Sequence, residues 1–232
     1  MIIETLSELI QGHKITNSTR FHKKEYIQGQ LDYFVHFDMK TLRDLAKGFY
    51  NQINDQEFDQ LISHKYHEYR LLALLILIKR MNDDNIKDIY NKYHHYIIYV
   101  NNWDLVDVSA PDIVGGYVEK FQDYQILFNY AKSDNMWINR IASVACLKLI
   151  RNHHLDIALN VIEKLLFHKH DLMHKANGWM LREIGKKNRD LLNQFIKTHY
   201  KDMPRTTLRY AIERHEKNER KKILGASYTK IK

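Results

Sequence analysis

Turn-forming residues are scarce in this chain: 8 glycines and 2 prolines serve 232 positions. A β-sandwich or barrel needs tight turns between many short strands, and glycine and proline supply most of them. Long helices joined by short polar connections need few, so the chain is expected to be all-α. With 44% hydrophobic residues it can also bury a sizeable core, which excludes intrinsic disorder.

Apolar residues recur three and four positions apart in successive blocks, the signature of helices with one buried face. The blocks predict helices over about 2–11, 38–51, 55–62, 65–81, 84–95, 102–109, 111–118, 123–132, 135–151, 154–166, 170–187, 189–199 and 203–222. Pairs of them repeat every ~35 to 45 residues, a spacing typical of stacked helical hairpins of the HEAT type. The expected architecture is a single domain over 1–232, a HEAT-like helical-repeat solenoid (an α–α superhelix) whose concave side suits an extended ligand. Only Tyr93–Val100 carries an ambiguous strand signal.

The N-terminal stretch has acids inside its apolar residues and reads as a helix, not a signal peptide. The longest apolar run, Leu71 to Ile78, is closed by Lys79 and Arg80 and falls well short of the ~20 residues needed to span a bilayer. Cys146, the single cysteine, lies in an apolar run and is expected to be a buried thiol in a reducing compartment. A cytoplasmic monomer without a membrane segment is the resulting expectation.

The net charge of +8 is unevenly spread. Residues 175–232 hold 16 Lys and Arg against 6 Asp and Glu, and everything before them is slightly acidic. Such a basic C-terminal third favours a polyanionic partner, although Arg220 to Lys222 and Lys230 to Lys232 equally fit a solubilising tail. Within this region Lys175, Trp179, Arg182 and Lys186 advance by four, three and four and share one helical stripe. An aromatic among three cations is a nucleic-acid pattern. It also describes a core tryptophan with cations reaching past it.

Chemistry is concentrated in Asn101–Asp112. An asparagine cap followed by a helix to about Val108 puts Trp103 and Asp107 on one face and turns Asp104 about 100° away. Asp104 then fits a charge that favours its own helix dipole. The helix is expected to end at Ser109-Ala-Pro111, where proline begins the next. Further on, the helix from Met136 is apolar nearly all round, so its Arg140 needs an anionic partner, either a protein carboxylate or a phosphate.

In this order and spacing, Trp103-Asp-Leu-Val-Asp107, Trp137-Ile-Asn-Arg140 and Gly178-Trp179-Met-Leu-Arg182 resemble the AlkD-type DNA alkylation repair glycosylases, built of HEAT-like repeats. Leu42 to Lys47, with His67, Glu68 and Arg70, fits the same pattern, and the likeness covers roughly residues 30–220. The family often shows two adjacent arginines where this chain has Asn139-Arg140. The resemblance implies a basic concave surface on duplex DNA. It assigns Trp103, Asp107 and Trp179 to the deoxyribose of an alkylated purine and Arg140 to the backbone near the lesion.

His168, His170 and His174 form a local cluster, but only His170 and His174 share a helix face, and no acid or cysteine stands at ligand spacing. No glycine-rich phosphate loop and no lysine placed for a Schiff base occurs in the motifs. A monofunctional glycosylase without metal or cofactor is therefore expected, acting on N7-methylguanine and N3-methyladenine in duplex DNA. Lys175, Arg182 and Lys186 join Arg140 as expected DNA-binding residues. Two alternatives remain at this level: a non-catalytic DNA-structure binder of the same family, and a HEAT-type protein-interaction scaffold.

Overall fold

The computed structural model describes residues 2–19 and 32–225, and among these every regular element is helical. Lys230 to Lys232 of the basic tail lie outside the described residues. The chain divides into two compact units, Met1–Ile113 and Val114–Lys232.

The first unit holds α1 (Ile2–Leu9), α2 (Met39–Phe49), α3 (Asp55–Ile62), α4 (His67–Arg80), α5 (Ile86–His95) and α6 (Trp103–Ala110). Its central element is α4, against which α2, α3 and α6 pack. The long apolar run supplies the second half of α4, where Leu71, Leu72, Leu74, Ile76 and Leu77 are all buried. Each such side chain contributes about 1.5–3 kcal/mol when withdrawn from water, which makes α4 the main apolar support of the unit. Polar residues set the helix starts: Asp38 accepts the Thr41 amide at 2.7 Å, and Asn54 and Glu57 close a reciprocal capping box.

An extended segment crosses the N-terminal turn of α4. Phe34 and Thr16 exchange backbone hydrogen bonds at 2.7 and 3.1 Å, and Tyr33 accepts from the His67 amide at 2.8 Å while donating to the Lys65 carbonyl at 3.2 Å. These are isolated bridges. They bring Asp32, distant in sequence, to the start of α4.

The second unit holds α7 (Gly116–Phe121), α8 (Gln125–Ala131), α9 (Met136–Arg151), α10 (Leu155–Leu165), α11 (Asp171–Lys187), α12 (Arg189–His199), α13 (Arg205–Ala211) and α14 (Lys217–Leu224). As its apolar circumference predicts, α9 is central, and α8, α10 and α11 pack on it. Cys146 is buried there, donates to the Ala142 carbonyl at 3.3 Å, and burial pushes its thiol pKa up to about 12. A neutral polar contact joins three helices: Ser143 Oγ donates to Asn177 Oδ1 at 2.9 Å, and Asn177 Nδ2 donates to the Leu165 carbonyl at 2.8 Å.

Three segments differ from the sequence expectation. Tyr93–Val100 is no strand: α5 runs to His95 and a single 3-10 turn follows over Ile97–Tyr99. The expected helix over 203–222 is two, because the chain turns at His215, whose buried ring meets Asn193 Oδ1 at 3.0 Å. The expected stop at Pro111 is also corrected. Pro111 has helical torsions, φ −60° and ψ −45°, and a π-helical segment over Pro111–Gly115 carries the chain on into α7. Proline's fixed φ suits a helix, but it offers no N–H and its ring crowds the carbonyl four residues back, that of Asp107; a wider π turn accommodates both.

Gly178 lies where α11 meets α13. A Cβ there would stand 2.5 Å from Tyr210 Cβ and 2.7 Å from the Thr207 carbonyl oxygen, so α13 could not stay seated. Gly178→Ala is expected to destabilise the protein by roughly 1–3 kcal/mol, as overpacking does. Chemical unfolding of the two proteins checks this; equal stability would show that the α11–α13 contact is looser than described.

Candidate active site

The start of α6 is tied to two separate parts of the first unit, the extended segment and the first turn of α4. Asn102 Oδ1 accepts the Trp103 amide at 2.8 Å as the helix cap, and its Nδ2 donates to Asp32 Oδ2 at 2.9 Å. Arg70 pairs with the other oxygen of Asp32, donates to Asn101 Oδ1 at 3.1 Å and reaches the His64 carbonyl at 2.8 Å. His67 stands between two carboxylates: Nε2 is 2.8 Å from Asp104 Oδ2, and Nδ1 is 3.4 Å from Asp32 Oδ2. The second distance is an ion-pair contact longer than an ordinary hydrogen bond. Glu68 supports the arrangement from the same turn of α4 by accepting the Val35 and His36 amides at 3.0 and 2.8 Å.

His67, Asp32 and Arg70 are all buried. Burial alone would push the His67 pKa down, but the charge and hydrogen bond of Asp104, helped by Asp32, raise it to about 9. His67 is therefore a cation at neutral pH. Burial likewise acts against the Asp32 carboxylate, and the close contact with His67 together with the charge of Arg70 outweighs it and holds the pKa below 3.8. Two cations thus face two carboxylates, Asp32 and Asp104.

Beyond this joint, α6 carries Trp103 and Asp107 one turn apart, both half-buried. Asp104, as its angular offset predicts, is turned elsewhere: it is held by His67 and accepts the Leu105 amide at 2.9 Å. Pro111 follows Asp107 by four residues and has no N–H to offer its carbonyl. Asp107 therefore lies where the regular hydrogen-bond ladder is interrupted, a setting in which π segments often accompany functional sites.

In the second unit, Lys175, Trp179, Arg182 and Lys186 do lie along α11, with Trp179 half-buried. The cations have acidic partners. Lys175 meets Asp171 at 2.6 Å, Lys186 meets Glu183 at 2.7 Å, and Arg182 pairs with Glu213 as well as Glu183. Arg140 is buried in α9 and donates to the Leu172 carbonyl at 2.5 Å, so it reaches the first turn of α11. Asn139 beside it is structural, its amide donating to the Tyr130 and Ser133 carbonyls at 2.9 Å each.

The histidine cluster serves the chain's own backbone. His170 Nδ1 caps α11 by accepting the Leu172 amide at 3.2 Å, His168 Nδ1 accepts the His170 amide at 3.0 Å, and His174 Nε2 contacts the His168 carbonyl at 2.5 Å. Burial, with neighbouring positive charge, lowers the pKa of His168 and His170. Among the described residues no group of three His, Cys, Asp or Glu side chains is arranged to hold a metal ion, and no helix is long and apolar enough to cross a membrane.

A family model described as DNA alkylation repair enzyme matches residues 2–215. Among solved structures, the chain is similar to a predicted DNA alkylation repair enzyme from Enterococcus faecalis, with TM-score 0.64, 18% identity, and 80% of this chain and 90% of that one covered. It is also similar to AlkD2 from Streptococcus mutans, with TM-score 0.58, 15% identity and coverage of 92% and 98%. A third likeness is to smu.31 from Streptococcus mutans UA159, with TM-score 0.52, 19% identity and coverage of 81% and 92%. At these identities the likeness establishes a shared all-α fold. No curated protein matches the chain.

The buried histidine makes stability depend on pH in a defined direction. Its folded pKa of about 9 lies above the unfolded value of 6.5, so its contribution is fully present below pH 6.5 and is lost as pH rises through about 9. The loss is of the order of 3 kcal/mol. Unfolding free energies of the wild type and His67→Gln at pH 6 and pH 10 should differ in slope by about that amount. Parallel slopes would show that His67 is not a buried cation.

Proposed function

The chain belongs to the DNA alkylation repair enzyme family, and from that premise we propose that it is a monofunctional DNA glycosylase for cationic alkylated purines, chiefly N7-methylguanine and N3-methyladenine in duplex DNA. One observation carries the reading: α6 presents an indole and a carboxylate one turn apart, Trp103 and Asp107, from a helix end anchored by buried charges.

Alkylation at N7 or N3 makes the purine cationic, so the base departs with the glycosidic electron pair as a neutral molecule. Positive charge then develops at C1′ and the ring oxygen of the sugar. An ionised carboxylate about 4 Å away, at an effective dielectric constant near 20, offers roughly 4 kcal/mol to that charge, about a thousandfold in rate. Asp107 is assigned this role. Trp103, and Trp179 by the family likeness, add cation–π attraction and exclude bulk water. Water then adds at C1′ and loses a proton, leaving an abasic site. No side chain in this set reads hydrogen-bond patterns on a base, so selectivity rests on the lability of the leaving group.

Arg140, Lys175, Arg182 and Lys186 are the proposed phosphate contacts. Ion pairs near the surface are worth only about 0–1 kcal/mol, and those of Lys186 with Glu183 and Arg182 with Glu213 each keep one exposed partner, so a phosphate can take a cation over at little cost.

Single-turnover excision from methylated duplex DNA, with released bases identified by chromatography, tests the activity. The wild type should release the cationic purines and no uracil or hypoxanthine. Asp107→Asn should lower the rate at least a hundredfold while leaving duplex affinity nearly unchanged, because its charge acts on the transition state alone. Retention of more than about a tenth of the rate would remove Asp107 from this role, against the roughly thousandfold that Coulomb attraction supplies. Binding measured at several salt concentrations should weaken steeply with salt, and Arg182→Gln should flatten the logarithmic slope by about one phosphate's worth. An unchanged slope would leave Arg182 as a partner of Glu213 only.

A further inference from the structure

The buried charge cluster under α6 is larger than a helix cap requires. Asn102 alone satisfies the first amide of α6, yet Asn101, Asn102 and Asp104 are each bonded in addition to Arg70, Asp32 and His67 respectively. Trp103 sits within this triply held stretch and Asp107 follows one turn later. An apolar joint of similar volume would stabilise the unit at least as well. What directional bonds between buried ions add is a single permitted arrangement, because any shift of α6 leaves a charge unpaired in a medium where that is costly.

We propose that His67, Asp32 and Arg70 are positioning residues that fix the placement of α6, and so hold Trp103 and Asp107 where charge develops on the sugar. The proposal rests on the glycosylase reading for its consequence in catalysis, but not for its consequence in the position of Trp103.

The titratable and charged groups around His67 come from three elements: Asp104 from α6, Asp32 from the extended segment, and Arg70 and Glu68 from α4 itself. Glu68 is engaged by backbone amides, which leaves Asp32 and Asp104 to hold the proton on His67. When the imidazolium loses that proton, one of its two ring nitrogens turns a lone pair toward a carboxylate, and the joint is no longer complete. Asp104→Asn removes the charge and keeps the contact with His67: Asp104 Oδ2 meets His67 while Oδ1 accepts the Leu105 amide, and the single amide oxygen of asparagine can still accept from His67 at the expense of the Leu105 contact, near solvent. Half of the negative charge that keeps His67 protonated is then gone.

The test follows single-turnover excision of N7-methylguanine from pH 6.5 to 9.5 in the wild type, Asp104→Asn, Asp32→Asn and His67→Gln, with duplex affinity measured alongside. The lesion's own titration is common to all four proteins and cancels in the comparison. In parallel, the Trp103 resonance of protein labelled with 5-fluorotryptophan, assigned by Trp103→Phe, reports the placement of α6. The alkaline fall in rate should move at least one pH unit lower in Asp104→Asn, with affinity changed less than twofold and the Trp103 resonance titrating at the same midpoint. His67→Gln should be at least tenfold slower than the wild type at pH 7, with no such fall. Asp32→Asn repeats the Asp104→Asn test should that variant fail to fold. Superimposable pH profiles in folded wild type and variant would overturn the proposal. If the wild type excises nothing, the glycosylase reading falls and the resonance decides: a titration whose midpoint moves in Asp104→Asn sustains the positioning role, and a resonance indifferent to pH and to the substitutions ends it.

Discussion

Asp32, His67, Arg70 and Asp104 bring four charges together at the N-terminal end of α4, three of them with almost no access to solvent. Withdrawing an ion from water costs several kcal/mol even after relaxation, and only its partners offset that cost. Such a group is complete or it is a liability: taking one member away strands the rest. The extended segment, the first turn of α4 and the cap of α6 are separated by tens of residues, yet each contributes a member. They are consequently bound to keep one mutual arrangement, while the apolar half of α4 supplies the bulk of the unit's stability.

The second unit places its helices by different means. Ser143, Asn177 and the Leu165 carbonyl form a neutral relay between α9, α11 and α10, Arg140 donates to the first turn of α11, and Thr207 donates to the His174 carbonyl at 3.1 Å from the other side. Neutral hydrogen bonds contribute only about 0.5–1.5 kcal/mol each, but leaving such groups buried and unmade costs more, so they too select one seating. With α11 held in this way, its outward cations need not organise the fold. They are paired with acids at or near the surface, where the pairs are weak and exchangeable. A cluster of paired charges positions helices in one unit; in the other a buried cation, Arg140, works beside neutral groups, and the paired cations of α11 stay near solvent.

This contrast also explains what could be read from the sequence. Helix spans depend on local periodicity and caps, and the starts at Asp55, Met136, Asp171 and Arg189 follow from Asn54, Asn135, His170 and Asn188 immediately before them. The stripe of Lys175, Trp179, Arg182 and Lys186 and the offset of Asp104 from Asp107 are consequences of 3.6 residues per turn and were equally legible. The tie from Asp32 to Asn102 spans 70 positions and has no periodic signature; an aspartate between Leu31 and Tyr33-Phe34-Val35 does not announce its distant partner. His67 and Arg70 stand out in the sequence only through the family likeness, and their partners only through the fold. The break at His215 was hidden because the charged residues around it are good helix formers, and a tertiary contact overrides that preference.

Under the proposed function, the joint and the chemistry need different carboxylates of α6. Asp104 is neutralised by an adjacent imidazolium, so its field at any distance is that of a dipole and falls off quickly. A carboxylate so committed can fix a helix but can do little for a cation forming on a sugar. Asp107, one turn further on and on the face shared with Trp103, is carried by the same helix whose start the cluster holds. Electrostatic catalysis requires a charge whose place is set before the reaction begins, because reorienting it during the reaction would consume the stabilisation it provides. On the proposed function, an anchoring Asp104 followed three residues later by an acting Asp107 meets both demands within a single helix turn, with two aspartates that, read one at a time, are indistinguishable.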